Sequence, residues 1–410
     1  MSPPGGPADR AVEDVARSSY GRLVAYLASL TGDLQAAEDA LGDALLAALR
    51  SWPEHGVPER PESWLVTAAR RRIVDAARRR DTAARNLPDL ALLQAEQQDD
   101  PAPAAVADKR LELLFACAHP IVAEPMRSPL MLQTVLGLDA ARIASAFLVA
   151  PSTMGQRLVR AKERIRRAGV PFRLPDEAQL PERLESVLDA VYAAYGTGWD
   201  DPAGLDPGRQ GLTAEALRLA ELLTDVLPDE PETRGLYALL LHLEARAGAR
   251  RSAGGDFVPL LEQDTGRWSA DLMSLAEQHL RTALAAGRPG PYQVQAAIQS
   301  VHNLRAATGR TDWVAIAQLY DALVVLAPST GAQVARAAAH RACTGPAAAL
   351  DLLELLPAAQ VREYQPYWVL RAHCLHDLGR TADAQRAARL AVGLTADPAV
   401  RDHLRTTLPT

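Results

Sequence analysis

The stretch from Asp139 to Arg167, DAARIASAFLVAPSTMGQRLVRAKERIRR, constrains the fold most, because it reads as two short helices across a tight turn, the second heavily basic. Asp139 can cap a first helix in which Ile143 and Phe147 share a face, and the small Ala144 permits close approach of a second helix. Leu148 to Pro151 breaks that helix, and Ser152 can cap the next one. There Met154, Leu158, Ala161 and Ile165 recur at helical spacing as the stripe to be buried. Arg157, Arg160, Lys162, Arg164, Arg166 and Arg167 take the other faces. Such a helix fits the major groove of DNA, with Ser152, Thr153, Gln156, Arg157 and Arg160 nearest the base edges and Arg164 and Arg167 nearest phosphates. A solvated, arginine-rich surface helix would show the same pattern.

The net charge of −6 argues against a protein that coats nucleic acid over its whole surface, so local clusters carry the argument. A second cluster runs from Arg70 to Arg80, RRRIVDAARRR. Lysine occurs only at Lys109 and Lys162 and alanine is abundant, a bias that makes clustering, rather than any single arginine, the signal. No run of about eighteen apolar residues occurs, and MSPPGGPADR lacks the apolar core of a signal peptide, so a soluble, cytoplasmic protein without membrane contact is expected. Cys117, Cys343 and Cys374 have no CxxC spacing and read as reduced thiols; neither a metal nor a cofactor is expected. With no Gly-rich phosphate loop, metal-spaced His/Cys set or nucleophile elbow, the chain does not read as an enzyme, and His119 and His302 read as structural.

Along the chain, residues 10–80 read as a small helical domain: a first helix with Leu23, Tyr26, Leu27 and Leu30, a second from Asp33 to Trp52, and a third from Trp64 to Arg80. Pro53, Gly56, Pro58 and Pro61 mark a loop before the third, for which Ser63 can serve as cap. Residues 81–107 are polar, acidic and proline-interrupted, as in a flexible linker. Residues 108–172 form a second helical unit ending in the basic helix, and residues 182–410 are Ala/Leu-rich helices. Within these, Ala216, Ala220, Leu223 and Pro228 share their spacing with Ile316, Tyr320, Leu323 and Pro328. Ala276, Leu280 and Ala283 follow its first part, as do Ala384, Ala388 and Ala391. The fold class is therefore all-α, its last part either a tetratricopeptide-like array of helical hairpins or an ordinary bundle.

Two basic helices on either side of a linker can contact two separate DNA segments. Residues 33–80 resemble region 2 of an extracytoplasmic-function sigma factor, and residues 108–172 resemble its region 4. Leu113–Pro120, Ile143–Phe172, Leu260–Trp268, Gly287–His302 and Thr311–Leu323 resemble the subgroup with a long C-terminal tetratricopeptide-like extension. The resemblance implies a factor that binds core RNA polymerase and starts transcription at promoter DNA. Glu38, Asp39, Leu41, Asp43 and Leu45 would meet the polymerase β′ clamp. Glu59, Arg60, Ser63, Trp64, Arg70, Arg71, Arg72, Asp75, Arg78 and Arg79 would hold the melted −10 element, and Ser152 to Arg167 would read the −35 element. Arg71 stands where the family often has Asn, which puts upstream −10 readout in doubt. Trp52 and Trp64 are either core residues or stacking platforms, and the acidic linker is either an RNA mimic in a polymerase channel or a tether. The extension would bind polymerase, a regulatory protein or the sigma core. A one-component regulator whose repeat array senses a ligand is the competing reading, and it leaves residues 10–80 without a role.

Overall fold

The computed structural model describes residues 6–81, 106–147, 149–199, 211–395 and 397–409, less the side chains of 77–81, 145–146 and 197–199. Among these every element is helical, and β structure is limited to an isolated bridge between Arg251 and Phe257. No described helix is long and apolar enough to cross a membrane. The chain divides into two units: Met1–Gly198 with Asp206–Leu219, and Trp199–Leu205 with Ala220–Thr410.

In the first unit α1 (Pro7–Thr31), α2 (Leu34–His55) and α3 (Pro61–Asp81) pack on one another. Gly32, at φ 63, ends α1, and Asp33 accepts the Ala36 N–H to cap α2, so the chain reverses within two residues. Leu23, Val24, Leu27, Leu41, Trp52, Leu65 and Val66 fill the space between them. The linker expected at 81–107 lies, from 82 to 105, outside the described residues. Beyond it come α4 (Arg110–Cys117), α5 (Glu124–Thr134), α6 (Ala140–Ala146) and α7 (Pro151–Ala168).

The helices before residue 82 pack on those after residue 105: α1 lies against α4 and α5, and α2 against α7. At Gly21 of α1 an added Cβ would stand 1.8 Å from the Val135 carbonyl oxygen, so only glycine lets the two backbones approach. The unit also takes in α8 (Leu180–Trp199) through Gly198 and the first half of α9 (Leu212–Val226). Arg127, buried on α5, donates to Glu182 and Ser186 of α8, at 3.2 and 3.4 Å. Arg110, 3% exposed, pairs with Asp108 and with Glu215 of α9.

In the second unit α10 (Pro231–Glu244), α11 (Ala270–Ala285), α12 (Pro291–Asn303), α14 (Trp313–Leu326), α15 (Thr330–Thr344), α16 (Pro346–Glu354), α18 (Gln365–Asp377), α19 (Thr381–Gly393) and α20 (Pro398–Thr407) pack mainly on near neighbours in sequence. Single-turn helices α13 (Arg305–Thr308) and α17 (Ala358–Val361) join them. The repeated positions Ala276, Leu280, Ala283, Ile316, Leu323, Ala384, Ala388 and Ala391 are all buried, because small side chains at that spacing let facing helices close up. Glu232 accepts the N–H groups of Tyr292 and Gln293 at the start of α12, at 2.8 and 3.1 Å. Burial nevertheless pushes its carboxyl above the usual range. Trp268 lies beneath two guanidinium groups, Arg246 at 5.9 Å and Arg305 at 5.0 Å from its ring centre.

Candidate nucleic-acid interface

The loop after α2 and one face of α3 enclose a cleft of about 520 Å³ lined by Pro58, Glu59, Arg60, Ser63, Trp64, Thr67, Ala68 and Arg71. The local fold explains the geometry. Pro61, with φ already suited to a helix and no N–H to leave unpaired, opens α3, and Trp64 N–H bonds the Arg60 carbonyl. Ser63, expected as the cap, therefore sits inside the first turn, where it is 5% exposed. Leu65, Val66, Ala69 and Ile73 turn into the core. Arg60, Trp64, Thr67 and Arg71, spaced by four, three and four residues, fall on a face that lines the cleft.

Trp52 is 2% exposed and packs edge-to-face on Trp64, their ring centres 5.6 Å apart at 70°. The two indoles thus take different parts: Trp52 is core, and Trp64, half-buried, presents the rest of its ring to the cleft. Glu62, in the first turn of α3, holds the loop to α1 through Ser19 and Arg22. Arg71, Arg72 and Asp75 are exposed, whereas Arg70 is half-buried and partnered. The side chains of Arg78 and Arg79 lie outside the described residues.

The second basic segment forms the expected pair of helices. Asp139 accepts the Arg142 N–H at 2.9 Å and caps α6, and Ile143 and Ala144 are buried. Phe147, expected beside Ile143, is 39% exposed, because α6 ends at Ala146. For α7 the N-cap is Ala150 with Pro151 at the first helical position; Ser152 is not the cap. Met154, Leu158, Ala161 and Ile165 form the buried stripe. Ser152, Gln156, Arg157, Arg160, Arg164 and Arg167 are exposed and Thr153 is half-buried. Arg166 and Arg167 both donate to Glu163, which holds that carboxyl below the usual range, so Arg167 is already paired. Lys162 turns inward.

On α2 the structure separates the five residues expected at the polymerase. Asp39 and Asp43 are exposed and Leu45 is half-buried. Leu41 is a core residue, 1% exposed, and Glu38 is enclosed in an ion pair with Lys162, so neither stands on the surface. Leu46 and Leu49, 55% and 41% exposed, were not anticipated. Their signal was in the sequence: the stripe Leu34, Ala37, Leu41, Ala44, Ala48, Trp52 already fills the buried face, leaving two leucines with nowhere to go.

No cluster of three His, Cys, Asp or Glu side chains suited to a metal occurs among the described residues, and all three cysteines are free. Burial pushes the Cys117 thiol up to about 12.

Residues 15–82, which contain the cleft, match the family model described as sigma-70 region 2. This match supports a factor of the sigma-70 family. Residues 183–284 match a second model, described as a family of unknown function (DUF6596). The chain is also similar to an uncharacterized protein of Rhizobium meliloti (strain 1021), 37% identical over 402 residues, a span covering 97% of this chain and 94% of that protein. No solved structure matches it.

Proposed function

We propose that this protein is a sigma factor of the extracytoplasmic-function type, acting in the cytoplasm, which binds core RNA polymerase and directs initiation at promoters read at two elements. The observation that carries the reading is the cleft of residues 58–71 within the region 2 match, where an indole face, two guanidinium groups and a buried hydroxyl residue converge. A base turned out of the duplex needs such a recess, with an aromatic ring to stack on and cations for the flanking phosphates. Trp64 is the platform, Arg60 and Arg71 hold the backbone, and Glu59 and Ser63 supply polar edges. In α7, Gln156, Arg157 and Arg160 meet base edges of the −35 element and Arg164 a phosphate.

Asp39, Asp43, Leu46 and Leu49 form an acidic and apolar strip on α2 that suits a basic, partly apolar surface of the β′ clamp. The protein makes and breaks no bonds; its work is binding energy spent on separating strands. The helical second unit, tetratricopeptide-like in its repeated small residues, modulates activity by binding polymerase or a regulatory protein. A one-component regulator would leave the cleft without a purpose.

Transcription reconstituted from purified core polymerase, this protein and genomic fragments tests the reading. Transcripts should begin at defined sites only when the protein is present. Absence of both core binding and specific starts would overturn it.

A further inference from the structure

In the second unit α19 and α20 enclose a recess of about 360 Å³ that has no part in the reading above. Gln385, Ala388, Arg389, Val392 and Gly393 line it from α19, where they fall at i, i+3, i+4, i+7 and i+8 along one face. Ala384, Ala387 and Ala391 occupy the adjoining face and are buried in the core that holds Leu370 and Leu375 of α18. From the other side come Leu404 and Leu408, one helical turn apart and 6% and 5% exposed, which with Ala388 make an apolar floor. Among the described residues no carboxylate lines the recess; its charged groups are the guanidiniums of Arg389 and Arg405.

The space is open and its frame is fixed. A Cβ added at Gly393 would meet nothing within 4 Å. Asp397 caps α20 by accepting the N–H groups of Ala399 and Val400, at 2.8 and 3.3 Å, and also holds Arg251. Arg401 donates to the Thr395 carbonyl at 3.0 Å. With α20 anchored at its start, an occupant finds the recess already formed. The two cations are available in different ways. Arg389 is exposed and holds no ion pair among the described residues. Arg405, 61% exposed, pairs with Asp402 at 3.1 Å, an exposed pair three residues apart that contributes little and can exchange one carboxylate for another.

We propose that this recess binds a single-chain aliphatic carboxylate, its tail on Ala388, Val392, Leu404 and Leu408 and its head on Arg389 and Arg405. An apolar floor with two guanidiniums and no acid at its edge complements a molecule that is apolar along its length and anionic at one end. Allowing each non-hydrogen atom the ~30 Å³ that a water takes in the liquid, the recess has room for about twelve, those of decanoate. A two-chain lipid or a partner helix is too large for it. The proposal stands apart from the sigma-factor reading, because every residue it uses lies in the second unit.

Calorimetric titration of the full chain with octanoate, decanoate and decanol tests it. Decanoate should bind once per chain, and octanoate, two methylenes shorter, about fifteenfold more weakly. Decanol, which lacks the charge, should bind about tenfold more weakly than decanoate. Arg389→Gln should weaken decanoate about tenfold and leave decanol unchanged, a difference that a general loss of structure would not produce. Gly393→Leu, folded by circular dichroism, should fill the recess and abolish both. Absence of saturable binding overturns the proposal, as does decanoate binding that neither variant alters. Equal weakening of decanoate and decanol by Arg389→Gln removes the carboxylate contact and overturns it too. A free chain that sediments as a dimer and becomes monomeric with Gly393→Leu has a second copy in the recess, which also overturns it.

Discussion

On α7, Arg157, Arg160 and Arg164 are exposed and hold no ion pair among the described residues, whereas in the second unit Arg251, Arg336 and Arg341 each sit against a carboxylate, of Asp397, Asp321 and Asp377. Arg246 and Arg305 are likewise occupied, flanking Trp268. A guanidinium facing a carboxylate has its field cancelled and its geometry fixed, so it holds elements together. One on an open helix face keeps both its field and its donors for an anion that arrives later. In a chain whose cations are nearly all arginine, partnership separates side chains left open to an incoming anion from those that hold elements together, where residue type cannot.

The contrast can be broken at its strongest point first. Arg110→Met leaves Asp108 and Glu215 without their buried partner and should cost the first unit about 3–5 kcal/mol, measured by denaturant melts. An unchanged midpoint would remove Arg110 from the holding class. Next comes acid. Burial, reinforced by Arg246 beside both and by Arg305 beside His302, lowers His242 and His302 to about 4. The unfolded rings take up protons near 6.5 and the folded ones only near 4, so the unfolded chain binds more protons in between. Their contribution is therefore fully present above pH 6.5 and is lost as pH falls toward 4, by about 3 kcal/mol per ring at most. Calorimetry should show the second unit's transition falling through that window, with a shallower fall in His302→Gln.

Arg157→Ala and Arg160→Ala should each weaken binding to a −35 duplex by about 1–3 kcal/mol, with melting stability within about 0.5 kcal/mol of the parent. Loss of stability without loss of binding would move them to the holding class. The smallest effect is expected at Arg362, paired with Glu363 but 80% exposed: Arg362→Ala should change stability by under about 0.5 kcal/mol in the same melts.

Periodicity was enough to read the all-α fold and the buried stripe of α7, since each depends on residues within a few turns of one another, whereas Glu59, Arg60, Ser63, Trp64 and Arg71 of the cleft were named only through the resemblance to region 2. The helix starts were misread at Ser63 and Ser152 for a shared reason: proline at the first helical position, Pro61 and Pro151, begins each helix earlier than a hydroxyl cap would. The packing of α7 on α2 had no local signal. It depends on Gly21 and Val135 and on Glu38 and Lys162, pairs more than a hundred residues apart, whose meeting only the folded chain reveals. Lys162, expected with the arginines on the outer faces of the helix, instead turns inward to Glu38.

Arg127 and Arg110 find their acids, Glu182 and Glu215, on α8 and α9, and Glu215 and the α8 residues from 183 onward fall within the DUF6596 match of 183–284. Recombination near residue 173 would part Arg127 from Glu182 and leave Arg110 with Asp108 as its sole acid. A cut there is thus not one at which genes could be spliced without compensating changes, and the stretches on its two sides are constrained to travel as a single heritable piece.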